Sequence, residues 1–211
     1  MVRDMTVTDI VELDKKRSKI FIDGEFAFVL YKGELREYGI KVDSDISETT
    51  YEEITGILLS KRAKLRAMNL LQKKDYTEKQ LRDKLHEGLY PSDIIDDAIS
   101  YVKSYRYLDD ERFARDYITY HMELRSRNRI IQDLTGKGIS KDVVIPIMQE
   151  LYEQANEAAD TDIEQEQIGK LLEKKHYCDA MEYKDKQKIM GFLLRRGYSM
   201  DSIRKAMNQY D

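Results

Sequence analysis

Residues 70–76 read LLQKKDY and residues 171–177 read LLEKKHY, identical at five of seven positions. The echo continues downstream, where Gly138-Ile139-Ser140-Lys141-Asp142 parallels Gly197-Tyr198-Ser199-Met200-Asp201 and Gly88-Leu89-Tyr90-Pro91-Ser92-Asp93 carries one extra residue. Asp93, Asp142 and Asp201 are each followed two residues later by Ile95, Val144 and Ile203. Ala98, Ile147 and Ala206 come next, then Ile99, Met148 and Met207. The period is roughly fifty residues, the scale on which supersecondary units repeat to build helical arrays.

Each copy reads as three helices. In the first, a helix over about 61–74 carries Leu65, Met68 and Leu71 at helical spacing. Thr77 with Gln80 has the spacing of a capping box for the second helix, Gly88 stops it, and Pro91 opens the third. In the second copy Asp109, Asp110 and Glu111 suit the positive end of a helix, and Phe113, Tyr117, Tyr120 and Leu124 form its expected apolar stripe. Ser126 caps the next helix, Gly136 and Gly138 end it, and Ser140 caps the third, within which Pro146 should introduce a kink or delay the start. The third copy is expected to start at the box Thr161-xx-Glu164, with a middle helix over about 182–195. Single triplets are too small to bury their apolar faces alone, whereas stacked triplets share a core. The expected fold is mainly α: tandem three-helix repeats over 61–105, 106–154 and 155–211 in an elongated, curved array. Such a surface suits a polymer or filament better than an enclosed small molecule.

Residues 1–60 read differently, as a small β module. TVTDIVEL at 6–13, the alternation around Ile20 and Ile22, and Phe26, Phe28 and Leu30 at period two predict three short antiparallel strands. Asp23-Gly24 is a hairpin dipeptide. Gly33 to Tyr38 reads as a helical turn or two ended by Gly39, and Thr50 with Glu53 as the box that starts the next helix.

Composition bounds the function. The 211 residues hold 36 Lys+Arg against 40 Asp+Glu, with one Cys, two Pro and no Trp. No apolar run approaches a membrane span and residues 1–30 carry no secretory pattern, so the expectation is a cytoplasmic protein away from membranes. The lone Cys178 cannot form an internal disulfide, and His86, His121 and His176 fall on different elements without a second ligand at helical spacing. No Gly-rich loop followed by Lys-Ser/Thr is present. The acidic triplet 109–111 is explained by helix capping rather than by Mg²⁺ binding. No catalytic residues, metal or cofactor are therefore expected, and the reading is a non-enzymatic binding protein, monomeric by expectation.

Charge is unevenly placed: net −5 over residues 1–60 and +3 over residues 61–104. Nine cations are the first candidates for contact with phosphates or a partner's carboxylates. Arg62, Lys64, Lys73 and Lys74 lie in the first copy, Arg125, Arg127 and Arg129 around the helix one–two turn of the second, and Arg195 and Arg196 beside Gly197 in the third.

The stretch YLDDERFARDY at 107–117 resembles the signature of the RecX family of recombination regulators. So do LLQKKDYTEKQLRDKL at 70–85 and FLLRRGYSMDSIRKAM at 192–207, while IDGEFAF at 22–28 is similar to the N-terminal extension of the family's Gram-positive branch. The resemblance spans nearly the whole chain. It implies tandem three-helix repeats and binding to RecA and the RecA–single-stranded DNA filament. It also implies inhibition of the filament's ATPase, recombinase and coprotease activities in DNA repair and the SOS response, with direct binding to DNA, single strands preferred. The alternative reading from the residues is a stand-alone DNA-binding helical module of helix-turn-helix type.

Overall fold

The computed structural model describes residues 5–210; the extreme ends of the first and last expected segments, 1–4 and 211, lie outside them. The alternation of β-branched and aromatic residues produces strands β1 (Met5–Glu12), β2 (Arg17–Ile22) and β3 (Glu25–Tyr31). Asp14 closes the first hairpin by accepting the backbone N–H groups of Lys16 and Arg17 at 2.9 Å each. Asp23 and Gly24 close the second with φ of 52° and 86°, the doubly left-handed turn that matches strand twist. The sheet has a fourth strand that the sequence pattern did not announce. β4 (Ser44–Ile46) pairs antiparallel with β1, giving the order β3-β2-β1-β4. Three residues, two of them polar, are too few to show a period of two.

Helix α1 (Lys32–Glu37) follows β3. The next helix starts earlier than expected: Ser47, not Thr50, is the cap, its Oγ accepting the Thr50 N–H at 3.1 Å, and α2 spans Glu48–Glu52. A π-helical segment, Glu53–Leu59, leads into α3 (Ser60–Leu71), and α4 (Glu78–Glu87) and α5 (Ser92–Ser104) complete the first triplet. The buried face of α3 is Ala63, Ala67 and Leu70, while Leu65 is 51% exposed. Small side chains at i and i+4 let α3 press closely against α5, so the alanines, not the larger leucine, mark the seam. Gly88 ends α4 with an ordinary φ of −78°, and it is Leu89 that takes the left-handed conformation. Pro91 stands at the N-cap of α5, one position before its first turn.

The sheet and this triplet share one core. Val7, Ile20, Phe28 and Leu30 from the strands join Ile54 and Leu59 from the π-helical segment and Leu81, Ile95, Ile99 and Val102 from the helices, all at most 2% exposed. Each large side chain so buried contributes roughly 1.5–3 kcal/mol. The unit 1–108 is therefore one body, not a sheet appended to helices. Its capping box is present as read: Thr77, fully buried, accepts the Gln80 N–H, and Gln80 accepts the Thr77 N–H. Thr77→Ala should lower the stability of the chain by about 1 kcal/mol in urea unfolding, without changing the m-value.

The second unit, 109–211, holds two triplets. Helices α6 (Asp110–His121), α7 (Arg127–Gly136) and α8 (Lys141–Ala159) bury Ala114, Ile118, Ile130, Leu134 and Val144 together. Again an alanine heads the buried stripe of the first helix; Phe113 and Tyr117 are half-buried beside it, and Tyr120 and Leu124 stand 74% and 70% exposed. Pro146 lies inside α8, which begins at Lys141, so it does not delay the start. Helices α9 (Ile163–Lys174), α10 (Tyr183–Arg195) and α11 (Met200–Met207) bury Ile168, Leu172, Leu193 and Ile203 in a separate cluster. The cap of α9 is Asp162 rather than Thr161, its carboxylate accepting the N–H groups of Glu164 and Gln165 at 3.0 and 3.3 Å. Cys178 is exposed and caps nothing; Glu182 occupies the cap of α10.

Candidate binding surface

The α6–α7 turn of the second triplet rests on the α10–α11 turn of the third. Ser126 is 1% exposed and works twice: its Oγ accepts the Arg129 N–H at 3.3 Å as helix cap and donates to the Arg196 carbonyl at 2.8 Å. Asn128 Nδ2 donates to the Gly197 carbonyl at 3.0 Å. The approach is close because residue 197 has no side chain. A Cβ there would fall 2.6 Å from Ser126 Oγ and 3.3 Å from the Arg129 backbone nitrogen.

Behind the turns runs a buried polar seam. Gln167 Nε2 and Tyr152 OH both donate to the Met122 carbonyl, and Tyr198 OH donates to Gln167 Oε1 at 3.2 Å. Glu164, 9% exposed, accepts the Arg127 N–H at 3.1 Å and the Ser202 hydroxyl at 3.5 Å. Burial pushes the phenols of Tyr152 and Tyr198 up, with the Glu164 charge adding to it, so both remain neutral donors. The carbonyl, amide and hydroxyl groups of this seam thus pair with one another, as burial favours, while Arg127 Nε and Gln165 Oε1 are buried without a hydrogen bond among the described residues.

This packing gathers cations that the sequence keeps seventy residues apart. The Arg127 guanidinium lies 4.2 Å from the Tyr152 ring centre, with Nε 3.7 Å from Glu164. Arg125 and Arg129 converge on Asp133 from the two sides, at 2.5 and 3.2 Å, and Arg125 also donates to Tyr117 OH at 3.0 Å. Arg195 and Arg196 are exposed; Arg196 sits 4.8 Å from the Phe192 ring centre, and Lys175 4.7 Å from the same ring. Six cations therefore stand against two acidic groups, Asp133 and Glu164. Beside them His121 is held below its usual pKa, first by burial and then by the Arg125 charge. Lys175 and Asn128 were not among the sequence candidates. Lys175 is the second lysine of LLEKKHY, the counterpart of Lys74 in LLQKKDY, whereas nothing in the sequence marks Asn128.

The four candidates of the first unit are spread differently. Arg62 is structural in large part: it pairs with Glu34, donates to the Val29 carbonyl at 3.3 Å and covers the Tyr31 ring. Lys64 pairs with Asp97 at 2.7 Å, holding that carboxyl below its usual range together with the Ser60 hydroxyl. Lys73 and Lys74 are exposed just past α3, with Lys74 4.5 Å from the Tyr76 ring centre. Among the described residues no cluster of metal-ligating side chains is present, and no helix is long and apolar enough to cross a membrane.

Comparison with known proteins decides the family. Models of the first, second and third three-helix domains of RecX match residues 63–101, 109–144 and 162–207. The chain belongs to the RecX family. It is 31% identical over 206 residues to the regulatory protein RecX of Caldanaerobacter subterraneus subsp. tengcongensis, covering 97% of this chain and 99% of that one. It is also 31% identical to the regulatory protein RecX of Clostridium perfringens strain 13, over 93% and 91% of the two chains. A crystal structure of regulatory protein RecX superimposes with a TM-score of 0.62 at 20% identity over 95% of this chain. RecX from Lactobacillus salivarius does so with a TM-score of 0.62 at 22% identity over 72%. Both share the fold. The second and third RecX domains of this chain are thus the triplets whose turns interlock at Ser126 and Gly197.

Proposed function

We propose that this RecX-family chain is a non-enzymatic regulator that binds RecA and the RecA–single-stranded DNA filament and restrains ATP hydrolysis, strand exchange and coprotease activity. The observation that supports this most is the cationic surface joined by the Ser126–Arg196 and Asn128–Gly197 hydrogen bonds. Arginines fixed at two packed turns meet phosphates or carboxylates with little further ordering. In this reading Arg195, Arg196, Arg129 and Lys175 make the contact, Arg125 and Arg127 shape it, and Lys73 and Lys74 supply a second foothold on the first unit. A regulator held to the filament at two places would join neighbouring subunits and resist the motion that accompanies ATP turnover.

The test uses Arg195 and Arg196, because reversing Arg127 would set two carboxylates together at the buried Glu164. In a single-stranded-DNA-dependent RecA ATPase assay the wild type should inhibit. R195E/R196E should need roughly ten times more protein for the same inhibition, with the difference shrinking as salt rises. Unchanged inhibition by the double variant would remove this surface from the reading. Tight duplex binding without RecA, falling steeply with salt, would favour the stand-alone DNA-binding module instead.

A further inference from the structure

A second surface, on the first unit, is built from aromatic rings. Tyr101, on α5, packs partly against the core of that unit. The Tyr105 ring lies 5.0 Å from it, and the Tyr107 ring lies 5.7 Å from Tyr105 at an interplanar angle of 15°. The ladder thus climbs from the core into solvent, where Tyr105 is 57% and Tyr107 50% exposed. Its upper rungs are fixed by the backbone. Arg106 takes φ of 56°, and the N–H groups of Arg106 and Tyr107 donate to the carbonyls of Lys103 and Val102 at 2.9 Å each. Residues two apart are thereby turned so that their rings lie nearly parallel.

Cations flank the ladder. Lys64 Nζ is 5.4 Å from the Tyr101 ring centre, Lys103 is 55% exposed on the last turn of α5, and the exposed Arg106 separates the two outer rings in sequence. Lys64 and Lys103 pair with Asp97 and Glu78 at 2.7 Å. Each pair has one half-exposed member, Asp97 at 50% and Lys103 at 55%, so solvent screens it and leaves Lys103 in particular reachable by a phosphate. Stacked, exposed, pre-positioned rings edged by positive charge are the elements of a platform for unpaired bases, since every base offers a π face and a nearby phosphate. A protein partner would be met by ring edges and hydroxyls in an apolar setting; here cations border the rings.

We infer that Tyr105 and Tyr107, supported by Tyr101, form a base-stacking site for single-stranded nucleic acid. The site needs no recombinase, so it stands or falls apart from the filament reading. The test is fluorescence anisotropy of the full chain with a labelled oligo(dT) and with an abasic oligonucleotide of the same length. Wild type should bind oligo(dT) several-fold more tightly than the abasic strand. Y105A/Y107A should lose roughly tenfold on oligo(dT) and bind the two strands alike, while Y105F/Y107F should keep the preference. Equal binding of both strands by wild type, no binding at all, or unchanged oligo(dT) affinity in Y105A/Y107A would overturn the site. Should the alanine variant fail to fold by circular dichroism, photocrosslinking of wild type to 5-iodouracil-substituted oligo(dT) decides instead. Crosslinks on Tyr105 or Tyr107 support the site, and crosslinks elsewhere only, or none, overturn it. Loss of RecA inhibition in Y105A/Y107A with oligo(dT) binding intact would mark a protein-binding surface and equally overturn it.

Discussion

Gly197→Ala should destabilise the second unit by about 3 kcal/mol, measured by urea unfolding of the full chain. Two independent effects add. Residue 197 has φ of +92°, where a Cβ costs about 1–2 kcal/mol. The same Cβ would meet Ser126 Oγ at 2.6 Å and the Arg129 nitrogen at 3.3 Å, and neither atom can retreat. Ser126 is a buried cap and Arg129 N is backbone of α7. Gly136→Ala is the control: it lies in α7 with nothing within 4 Å of an added Cβ, so it should gain about 0.5–1 kcal/mol. In S126A/G197A the contact with Oγ is gone, so the pair should cost less than the sum of the single changes. Strict additivity would mean that the turns do not press on one another.

That junction also shows what a reader of the sequence could and could not reach. The period marked the triplets, and the caps at Thr77, Asp109 and Ser126 fall where local chemistry puts them, because an N-cap is decided within four residues; Ser140 stands at the N-cap of α8 without a side-chain capping hydrogen bond. The helix faces were harder. Large side chains dominate the helical period, so Leu65, Tyr120 and Leu124 read as stripe positions although Ala63, Ala67 and Ala114 occupy the buried faces. Close helix packing selects for small residues, which carry little signal of their own. Among the candidate cations, sequence could not rank their exposure. Whether an arginine is available depends on partners far along the chain: Glu34 for Arg62, Glu164 for Arg127. Nor could sequence show that residues 126 and 196 touch.

The second large effect concerns Arg62. Its guanidinium joins three elements of the first unit, pairing with Glu34 on α1, donating to the Val29 carbonyl of β3 and lying over Tyr31 at 4.8 Å from the ring centre. The Glu34 side chain is only 17% exposed, so removing its partner leaves a largely desolvated carboxylate. Arg62→Ala should cost about 2–3 kcal/mol, somewhat below the figure for a fully buried broken pair. Arg62→Lys should recover little, since one ammonium cannot serve a carboxylate and a carbonyl in the fixed fork of a guanidinium. R62A/E34A should be milder than R62A alone, as measured by urea unfolding followed by circular dichroism. An R62A variant as stable as wild type would return Arg62 to the group of surface cations available for binding.

The seam between the second and third triplets differs in kind from what holds each triplet together. Ala114, Ile118 and Ile130 close one apolar cluster and Ile168, Leu172 and Leu193 another, while hydrogen bonds of Ser126, Arg127, Asn128 and Gln167 join them. Parting the joint uncovers the contact of Ile163 with the second triplet, whereas melting either cluster uncovers far more hydrocarbon. Polar bonds are also directional. The joint is therefore expected to open before either cluster melts, so the Arg127 amide, which donates to Glu164 across the seam, should exchange hydrogen faster than the amides inside α7.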